Sequence, residues 1–316
     1  MKTTVAYSKS TRENHIDVRG KVDGEANTIS TGDGGANMSS QNFVAVYDAY
    51  NDNVKTDEIA CTLTTNVGNP APGNGQRMVL DEAGTIRIRK LTPVECERLQ
   101  GYPDNHTAYG RKEDGTIYNM SNTQRYKQCG NGVSSPVAAT ILTSLIPGDE
   151  QVRVQSLFSG ILGTELNLPE RFKLTGTCEF DKYASDVIRF NHPNTPNFND
   201  VTKFIERTDV PDFDLLTFGF PCQSFSIAGL RQGFEDEKGR GQMIYHCFDI
   251  LQKHKPKYFL AENVKGLLNH DGGKTIVEIL KGLSQLGYEV DFELVNSKHF
   301  GLAQNRERIF IFGKLK

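Results

Sequence analysis

The sequence predicts an α/β protein, in which a mostly parallel sheet with crossover helices is joined to a smaller β-rich domain. From Val152 onward, short apolar runs typical of strands alternate with stretches of helical periodicity. Glycine turns or acidic residues follow several of these runs, as they do at the carboxyl ends of parallel strands. The first 84 residues are instead rich in Asn, Gly, Thr and Ser, which indicates short strands and turns.

The elements of the sheet follow an ordinary βαβ alternation. The predicted strands are 152–158, 172–179, 198–201, 213–218, 257–261, 288–295 and 308–313, and the predicted helices between them are 181–190, 242–254 and 274–286. Such alternation indicates parallel strands joined by crossover helices.

Two helices are predicted before the sheet. One runs from Thr92 to Gln100, with Thr92 as N-cap, Pro93 at the first helical position and Glu95 at the third. The other runs from Ser134 to Leu145. Residues 146–151 then form a tight linker into the first strand.

Composition limits the class of protein. A chain of 316 residues can hold one large core and a smaller domain. No apolar stretch approaches the roughly 20 residues of a membrane helix, and residues 1–10 do not resemble a signal peptide, so a cytoplasmic protein without membrane contact is expected. The six cysteines form no C-x-x-C pair, so neither a disulfide framework nor a metal site is expected. Five of them are expected to be buried apolar residues, and Cys222 is the exception.

The charge pattern restricts any contact with nucleic acid. The net charge is −3, but residues 85–131 carry 8 basic and 5 acidic side chains. Contacts to phosphates must therefore be local, because the chain has no general cationic field.

Residues at successive strand ends indicate a nucleoside-containing cofactor. Gly160 and Gly163 follow the first strand and allow backbone to approach a ligand closely. Glu179 ends the second strand and could accept both hydroxyls of a ribose, and Asp200 after the third could accept an adenine amino group. Each acid could alternatively be a helix N-cap or a surface charge, but three such groups together favour an adenosine-type cofactor.

Cys222 and Glu262 suit nucleophilic attack on a pyrimidine ring. Cys222 follows the strand 213–218 in a proline-containing turn, and a thiolate is soft and nucleophilic enough to add to C6 of a pyrimidine. Glu262, at the end of a later strand, could hydrogen-bond to or protonate N3, a role that requires burial to raise its pKa. Asn263 is expected to orient Glu262. The alternatives are a buried inert cysteine and a glutamate paired with a lysine.

Residues 219–226 (Gly-Phe-Pro-Cys-Gln-Ser-Phe-Ser) and 262–264 (Glu-Asn-Val) closely resemble the catalytic motifs of DNA (cytosine-5) methyltransferases. The resemblance implies a Rossmann-like methyltransferase sheet with a smaller β-rich target-recognition domain, S-adenosyl-L-methionine as cofactor, S-adenosyl-L-homocysteine as product and double-stranded DNA as substrate. In Gln304-Asn-Arg-Glu-Arg-Ile309 it implies that Arg308 contacts the base and that Arg306 makes a supporting contact.

The same resemblance implies a set of cofactor-binding residues. They are Phe158, Gly160, Ile161, Gly163, Glu179, Phe180, Asp200, Val201, Pro221, Asn131 and Val133. Two positions depart from the family pattern: Leu162 stands where a glycine is usual, and Gly132 stands where a serine is often found.

The motifs occur in rotated order. In most members of the family the cofactor motif comes first and a Gly-Asn-x-Val motif last, whereas here Gly130–Val133 precedes Phe158. The segment 89–101 resembles the motif that borders the recognition domain, and it also comes early. A circular permutation is therefore expected, with a target-recognition domain over 1–116 and a catalytic domain over 117–316.

The segment that follows Cys222 has the composition of a mobile loop. Residues 223–242 contain four glycines among three cations, which suits a loop that closes over DNA when the target base swings out of the duplex. A cognate restriction endonuclease is a possible partner, and a monomer is expected. Three alternatives stay open: an RNA cytosine methyltransferase, a non-catalytic DNA-binding protein on the same scaffold, and a nicotinamide oxidoreductase, which lacks support because no full G-x-G-x-x-G is present.

Overall fold

The computed structural model describes residues 91–221 and 243–316, together with the backbone of seven short strands within residues 1–90. These strands are β1 (Tyr7–Lys9), β2 (Ile16–Val18), β3 (Val44–Asp48), β4 (Asn53–Lys55), β5 (Ala60–Cys61), β6 (Gln76–Leu80) and β7 (Ile86–Lys90). Strands β4, β3, β6 and β7 form an antiparallel sheet in that order, and β1 pairs with β2. The predicted β-rich character of this part is confirmed.

The segment between this part and the central sheet contains three helices and a hairpin. These are α1 (Pro93–Leu99), β8 (Tyr109–Arg111), β9 (Ile117–Asn119), α2 (Asn122–Asn131) and α3 (Ser135–Leu145). Helix α1 begins as predicted: the Thr92 side chain accepts from the Glu95 backbone N–H, and the Glu95 carboxylate accepts from the Thr92 backbone N–H. Ser134 is the N-cap of α3.

A six-stranded sheet forms the centre of the molecule. Its strands are β10 (Val152–Leu157), β11 (Phe172–Cys178), β12 (Leu215–Phe218), β13 (Tyr258–Val264), β14 (Tyr288–Asn296) and β16 (Glu307–Leu315), and β15 (Gln304–Asn305) pairs with β5. The spatial order is β11-β10-β12-β13-β16-β14. Four neighbouring strands are parallel, and β16 runs antiparallel between β13 and β14.

Helices cover both faces of this sheet. They are α4 (Lys182–Asn191), α5 (Val201–Phe204), α6 (Met243–His254) and α7 (Lys274–Gln285), with 3₁₀ turns at Lys265–Leu268, His270–Gly273 and Ser297–Phe300. On one face Phe204, Ile250 and Leu283 belong to the same large hydrophobic cluster as Phe259 of β13. On the other face α3 packs Leu142 against the sheet. The linker from α3 to β10 is as short as predicted.

One predicted strand is wrong. Residues 198–201 do not form a strand: Asn197 makes a single bridge to Thr177, and Asn199 then takes the left-handed conformation with φ 59°. Asp200 is the N-cap of the short helix α5, which begins at Val201. A left-handed residue ends an extended segment, and the Asp200 side chain starts the helix.

Candidate active site

The order of the sheet reverses between β10 and β12, and a cleft lies at that point. From β10 the chain continues outward to β11, whereas β12 continues on the other side to β13. Crevices at such a reversal, at the carboxyl ends of the strands, are the usual ligand sites of open α/β sheets. The cleft is lined by residues from four segments of the chain: Asn131, Gly132, Val133, Ser156, Leu157, Phe158, Ser159, Gly160, Ile161, Gly163, Thr164, Thr217, Phe218, Gly219 and Glu262.

The loop after β10 follows a tight backbone path. Phe158, Gly160 and Leu162 all have positive φ, at 50°, 54° and 66°. This explains why a glycine suits position 162, since a left-handed conformation strains other residues. Gly163 has a different constraint: a Cβ there would lie 2.6 Å from the Val133 carbonyl oxygen. The loop therefore packs directly on the turn that contains Val133.

Glu179 is held next to this loop. One carboxylate oxygen accepts from the Gly160 N–H at 2.8 Å, and the other accepts from the Asp181 N–H at 2.7 Å. Burial raises the pKa of Glu179, and these backbone bonds oppose that rise. The neighbouring Phe180 ring is 79% exposed. An oriented carboxylate beside an exposed aromatic ring fits a ribose and an adenine.

Asp200 and Val201 contribute less to the cleft than the sequence implies. Oδ1 of Asp200 accepts from both the backbone N–H and the hydroxyl of Thr202, at 3.0 and 2.7 Å. The hydroxyl bond holds the pKa of Asp200 below its ordinary value. Asp200 thus serves as a helix N-cap, and Val201 packs its side chain into the hydrophobic core. Neither residue lines the cleft.

The turn with Asn131 and Val133 forms the opposite wall. Helix α2 ends at Asn131, and the exposed Asn131 side chain is at the cleft. Two buried side chains bind the carbonyls of this turn. Arg306 Nη2 donates to Gly130 O at 3.1 Å and to Gly132 O at 2.8 Å, and Tyr102 Oη donates to Val133 O at 2.7 Å. Arg306 therefore supports the turn through its backbone carbonyls.

Glu262 reaches the cleft from β13 and pairs with Arg308. Arg308 Nε lies 3.1 Å from Glu262 Oε1. Burial raises the pKa of Glu262, although the charges of Arg308 and Arg306 lower it. A carboxyl group in this environment is able to hold a proton closer to neutrality than an exposed glutamate.

Asn263 does not orient Glu262, so that prediction is wrong. Its side-chain amide donates to the Phe220 carbonyl at 2.9 Å, and its Oδ1 accepts from the Val264 N–H. Successive strand residues point to opposite faces, so Asn263 faces away from the Glu262 side chain. It binds the segment after β12 that leads to Pro221 instead.

The first described range of the chain ends at Pro221, one residue before the predicted nucleophile. Pro221 is described and is exposed, whereas Cys222 and the predicted closing loop 223–242 lie outside the described residues. Of the other cysteines, Cys96, Cys129, Cys178 and Cys247 are buried as predicted, and Cys61 has no described side chain.

Three residues around the cleft were not predicted from the sequence. Tyr102 binds the turn, as described above. The His106 ring nitrogen Nε2 lies 2.9 Å from the Ile161 carbonyl and must carry a proton, since a carbonyl only accepts. Glu165 accepts from the Thr217 hydroxyl, and burial raises its pKa. Tyr102 and His106 come directly after the 89–101 motif, which was the only available signal for them.

The arrangement suits S-adenosyl-L-methionine. Gly163 leaves no room for a side chain between the loop and the turn, and both Glu179 oxygens are oriented by backbone donors. Phe180 offers an open aromatic face.

Within the part of the chain that the structure describes, no helix is long and apolar enough to span a membrane.

A mostly parallel sheet with one antiparallel strand, and a cleft at its reversal point, define a Rossmann-like methyltransferase fold. The sequence matches the family described as C-5 cytosine-specific DNA methylase over residues 2–147 and 152–316. The chain belongs to this family.

Known relatives are similar over part of their length. An orphan methyltransferase of Bacillus phage rho11s is 48% identical over 168 residues, which are 52% of this chain and 33% of the relative. A Type II methyltransferase of Neisseria lactamica is 41% identical over 181 residues, 53% of this chain and 42% of the relative. The match spans a third to less than half of these two proteins. Among solved structures, the Dnmt2 methyltransferase of S. pombe is 23% identical with a TM-score of 0.43, over 52% of this chain and 50% of that one.

Proposed function

We propose that this chain is a DNA cytosine-C5 methyltransferase that uses S-adenosyl-L-methionine. The observation that carries the proposal is the partly buried Glu262–Arg308 pair, which lies beside the cleft at the reversal of the sheet in a chain of the cytosine-specific family. Burial raises the pKa of Glu262, which favours the protonated form that pyrimidine activation uses.

Cys222 acts as the nucleophile. Its thiolate adds to C6 of an extruded cytosine while Glu262 donates a hydrogen bond or a proton to N3. Arg308 binds the base at O2 and keeps Glu262 paired. Carbon C5 then becomes nucleophilic and would take up the methyl group as its bond to the sulfonium sulfur breaks, which leaves S-adenosyl-L-homocysteine as product. Loss of the C5 proton to a base or a water molecule breaks the sulfur–C6 bond and returns the thiolate.

The cofactor supplies an electrophilic methyl group when it is bound. Glu179 would hold the ribose through its hydroxyls, and the exposed ring of Phe180 would contact the adenine. The free oxygen of Asp200 and the backbone of Val201 would approach the adenine edge. The remaining contacts come from the segments that line or adjoin the cleft: Phe158, Gly160, Ile161, Gly163, Pro221, Asn131 and Val133.

The substrate is double-stranded DNA in this proposal. Residues 1–116 form the target-recognition domain, because a reader of duplex DNA needs an element that faces a groove. The boundary between residues 116 and 117 is a prediction. The buried ion pair between Glu97 and Arg125 joins residues on opposite sides of this boundary. The relatives come from bacteria and phages, and a restriction endonuclease partner, a cytoplasmic location and a monomeric state are predictions of the same kind.

We also propose that the chain is circularly permuted. The Gly130–Val133 turn and the β10 loop meet in space although their motifs are in reverse sequence order. Helix α3 ends at Leu145 and β10 begins at Val152, so a short linker joins elements that most members keep at opposite chain ends. The family match falls into two segments separated at 148–151, and each relative aligns with only about half of this chain. These features support a rotated order.

Methyl transfer to oligonucleotides tests the activity. Purified chain is incubated with radiolabelled S-adenosyl-L-methionine and either duplex DNA of mixed sequence or a structured RNA. The proposal predicts label in DNA cytosine at C5, loss of transfer in Cys222→Ser, and a covalent complex with DNA that contains 5-fluorocytosine. Label confined to RNA, or normal turnover by Cys222→Ser, would contradict it.

A further inference from the structure

Tyr102 occupies the junction between the two walls of the cofactor cleft. Its side chain is 4% exposed, and its hydroxyl donates to the Val133 carbonyl at 2.7 Å. It reaches this position because the chain turns sharply after α1 at Gly101, which has φ 75°. A Cβ on Gly101 would lie 2.4 Å from the Pro136 ring, so the turn is packed against the start of α3. The location of Tyr102 is thus fixed by backbone geometry on both sides.

The hydroxyl of Tyr102 touches a glycine from each wall. A Cβ on Gly132 would lie 2.2 Å from this oxygen, and a Cβ on Gly163 would lie 2.5 Å from it. Gly132 belongs to the turn and Gly163 to the β10 loop, and both line the cleft. The Tyr102 hydroxyl therefore lies where the two walls meet, and the space it fills leaves no room for a side chain at position 132.

The turn is also held from its other side. Arg306 donates to the carbonyls of Gly130 and Gly132, while Tyr102 takes the next carbonyl at Val133. These three hydrogen bonds tie the backbone on both sides of Asn131 and at Val133 to two buried side chains. Burial raises the pKa of the Tyr102 phenol well above its usual range, so the hydroxyl keeps its donor proton.

We propose that Tyr102 is a positioning residue for cofactor binding, which acts by fixing the Gly132–Val133 turn against the Gly163 loop. This inference rests on the proposed function, because it takes the cleft as the cofactor site. Removal of the hydroxyl loses one buried hydrogen bond and loosens one wall. Such a loss weakens cofactor binding by about three- to tenfold without removing any group that touches the reacting atoms.

The test compares Tyr102→Phe with Tyr118→Phe. Tyr118 is a matched control because its hydroxyl also donates a 2.7 Å hydrogen bond, to Asp186, outside the cleft. The dissociation constant of S-adenosyl-L-homocysteine is measured by calorimetry, and KM for the cofactor and kcat are measured on duplex DNA. Tyr102→Phe is expected to raise the dissociation constant and KM about three- to tenfold and to leave kcat within about twofold. Tyr118→Phe is expected to change neither. Equal cofactor affinity of Tyr102→Phe and the wild-type protein would overturn the inference.

A double-mutant cycle with Gly132→Ala supplies the second measurement. In the wild-type background the added methyl group collides with the Tyr102 hydroxyl and weakens cofactor binding. In the Tyr102→Phe background the oxygen is gone, so the same methyl group costs less, and the two changes are coupled. Should Tyr102→Phe fail to fold, an unchanged cofactor affinity of Gly132→Ala would still refute the inference, and a weakened one would support it. If the wild-type protein itself binds no S-adenosyl-L-homocysteine, the proposed function fails instead.

Discussion

Arg308 and Glu262 form an ion pair at the cleft, with Nε 3.1 Å from Oε1 and each side chain 16% exposed. Burial pushes both groups toward their neutral forms: it raises the pKa of Glu262 and lowers that of Arg308. The two effects oppose each other at Glu262: the Arg308 charge limits how far burial can raise the pKa of the carboxyl group. A group that must donate to a ring nitrogen near neutral pH needs such a balance.

Replacement of Arg308 by alanine is expected to change the pH profile as well as the rate. Without the cation, the pKa of Glu262 rises further, so the alkaline limb of kcat moves to higher pH. The lost contact to the base lowers kcat by about 10- to 100-fold. The measurement is kcat against pH under saturating DNA and cofactor. Lys265→Ala serves as control, because its ion pair with Glu307 is about half exposed and lies outside the cleft. An unshifted alkaline limb in Arg308→Ala would show that the pair does not tune Glu262.

Cofactor binding is expected to depend on pH through Glu179. In the proposed function the ionised carboxylate accepts both ribose hydroxyls, and protonation removes part of this acceptor capacity. Burial raises the pKa of Glu179 above the ordinary value. Cofactor affinity is therefore present at higher pH and is lost as the pH falls through this raised pKa. Glu179→Gln keeps the size of the side chain but has no such titration, so its weaker binding should be flat with pH. Calorimetry with S-adenosyl-L-homocysteine between pH 5 and about 8 checks both. A pH dependence that persists in Glu179→Gln would assign it to another group.

Two carboxylates in the same segment should differ widely in their effect on stability. Glu97 is fully buried and accepts from the backbone of Asn105 and Thr107 and from Arg125, whose Nη2 is 2.9 Å away. Glu97→Gln leaves the Arg125 charge without its partner and should lower the free energy of unfolding by about 3–5 kcal/mol.

The exposed counterpart is Asp104, which pairs with Arg98 although both side chains are about half exposed. Asp104→Asn should cost at most about 1 kcal/mol, because solvent screens the pair. Urea denaturation of both variants gives the comparison. Similar losses in the two variants would mean that burial of Glu97 has no energetic consequence.

Local sequence predicted the elements that depend on local interactions. Helix α1 follows from the capping box of Thr92 and Glu95, which lie three residues apart and need no tertiary partner. The strand proposed at 198–201 failed because its apolar residues pack around a turn at Asn199 instead of extending. Nothing in the periodicity of so short a segment distinguishes these two outcomes.

The site residues show a similar limit. Strand ends and motif matches predicted Glu179, Glu262 and Arg308, because residues at strand ends can be placed from the topology of the sheet. Tyr102 and His106 bind backbone carbonyls that are 31 and 55 positions away in the sequence, and only the folded chain brings those carbonyls near. The role of Asn263 was misassigned for the same reason, since its partner Phe220 belongs to the connection after a different strand.

Asn263 should affect the rate and leave cofactor affinity unchanged. Its amide holds the Phe220 carbonyl at 2.9 Å, two residues before the proposed nucleophile, and the side chain is 4% exposed. In Asn263→Ala the carbonyl loses this donor, so the Pro221 turn is no longer fixed to β13 and the thiol samples more positions. We expect kcat to fall about tenfold. The dissociation constant of S-adenosyl-L-homocysteine should rise by no more than about twofold, because Pro221 is one proposed contact among several and Glu179 and the Gly163 loop are unaffected. Trapping of 5-fluorocytosine DNA should slow in parallel, since it requires the same attack by sulfur. A fall in cofactor affinity without a change in trapping rate would show instead that Asn263 supports the cleft wall and not the turn.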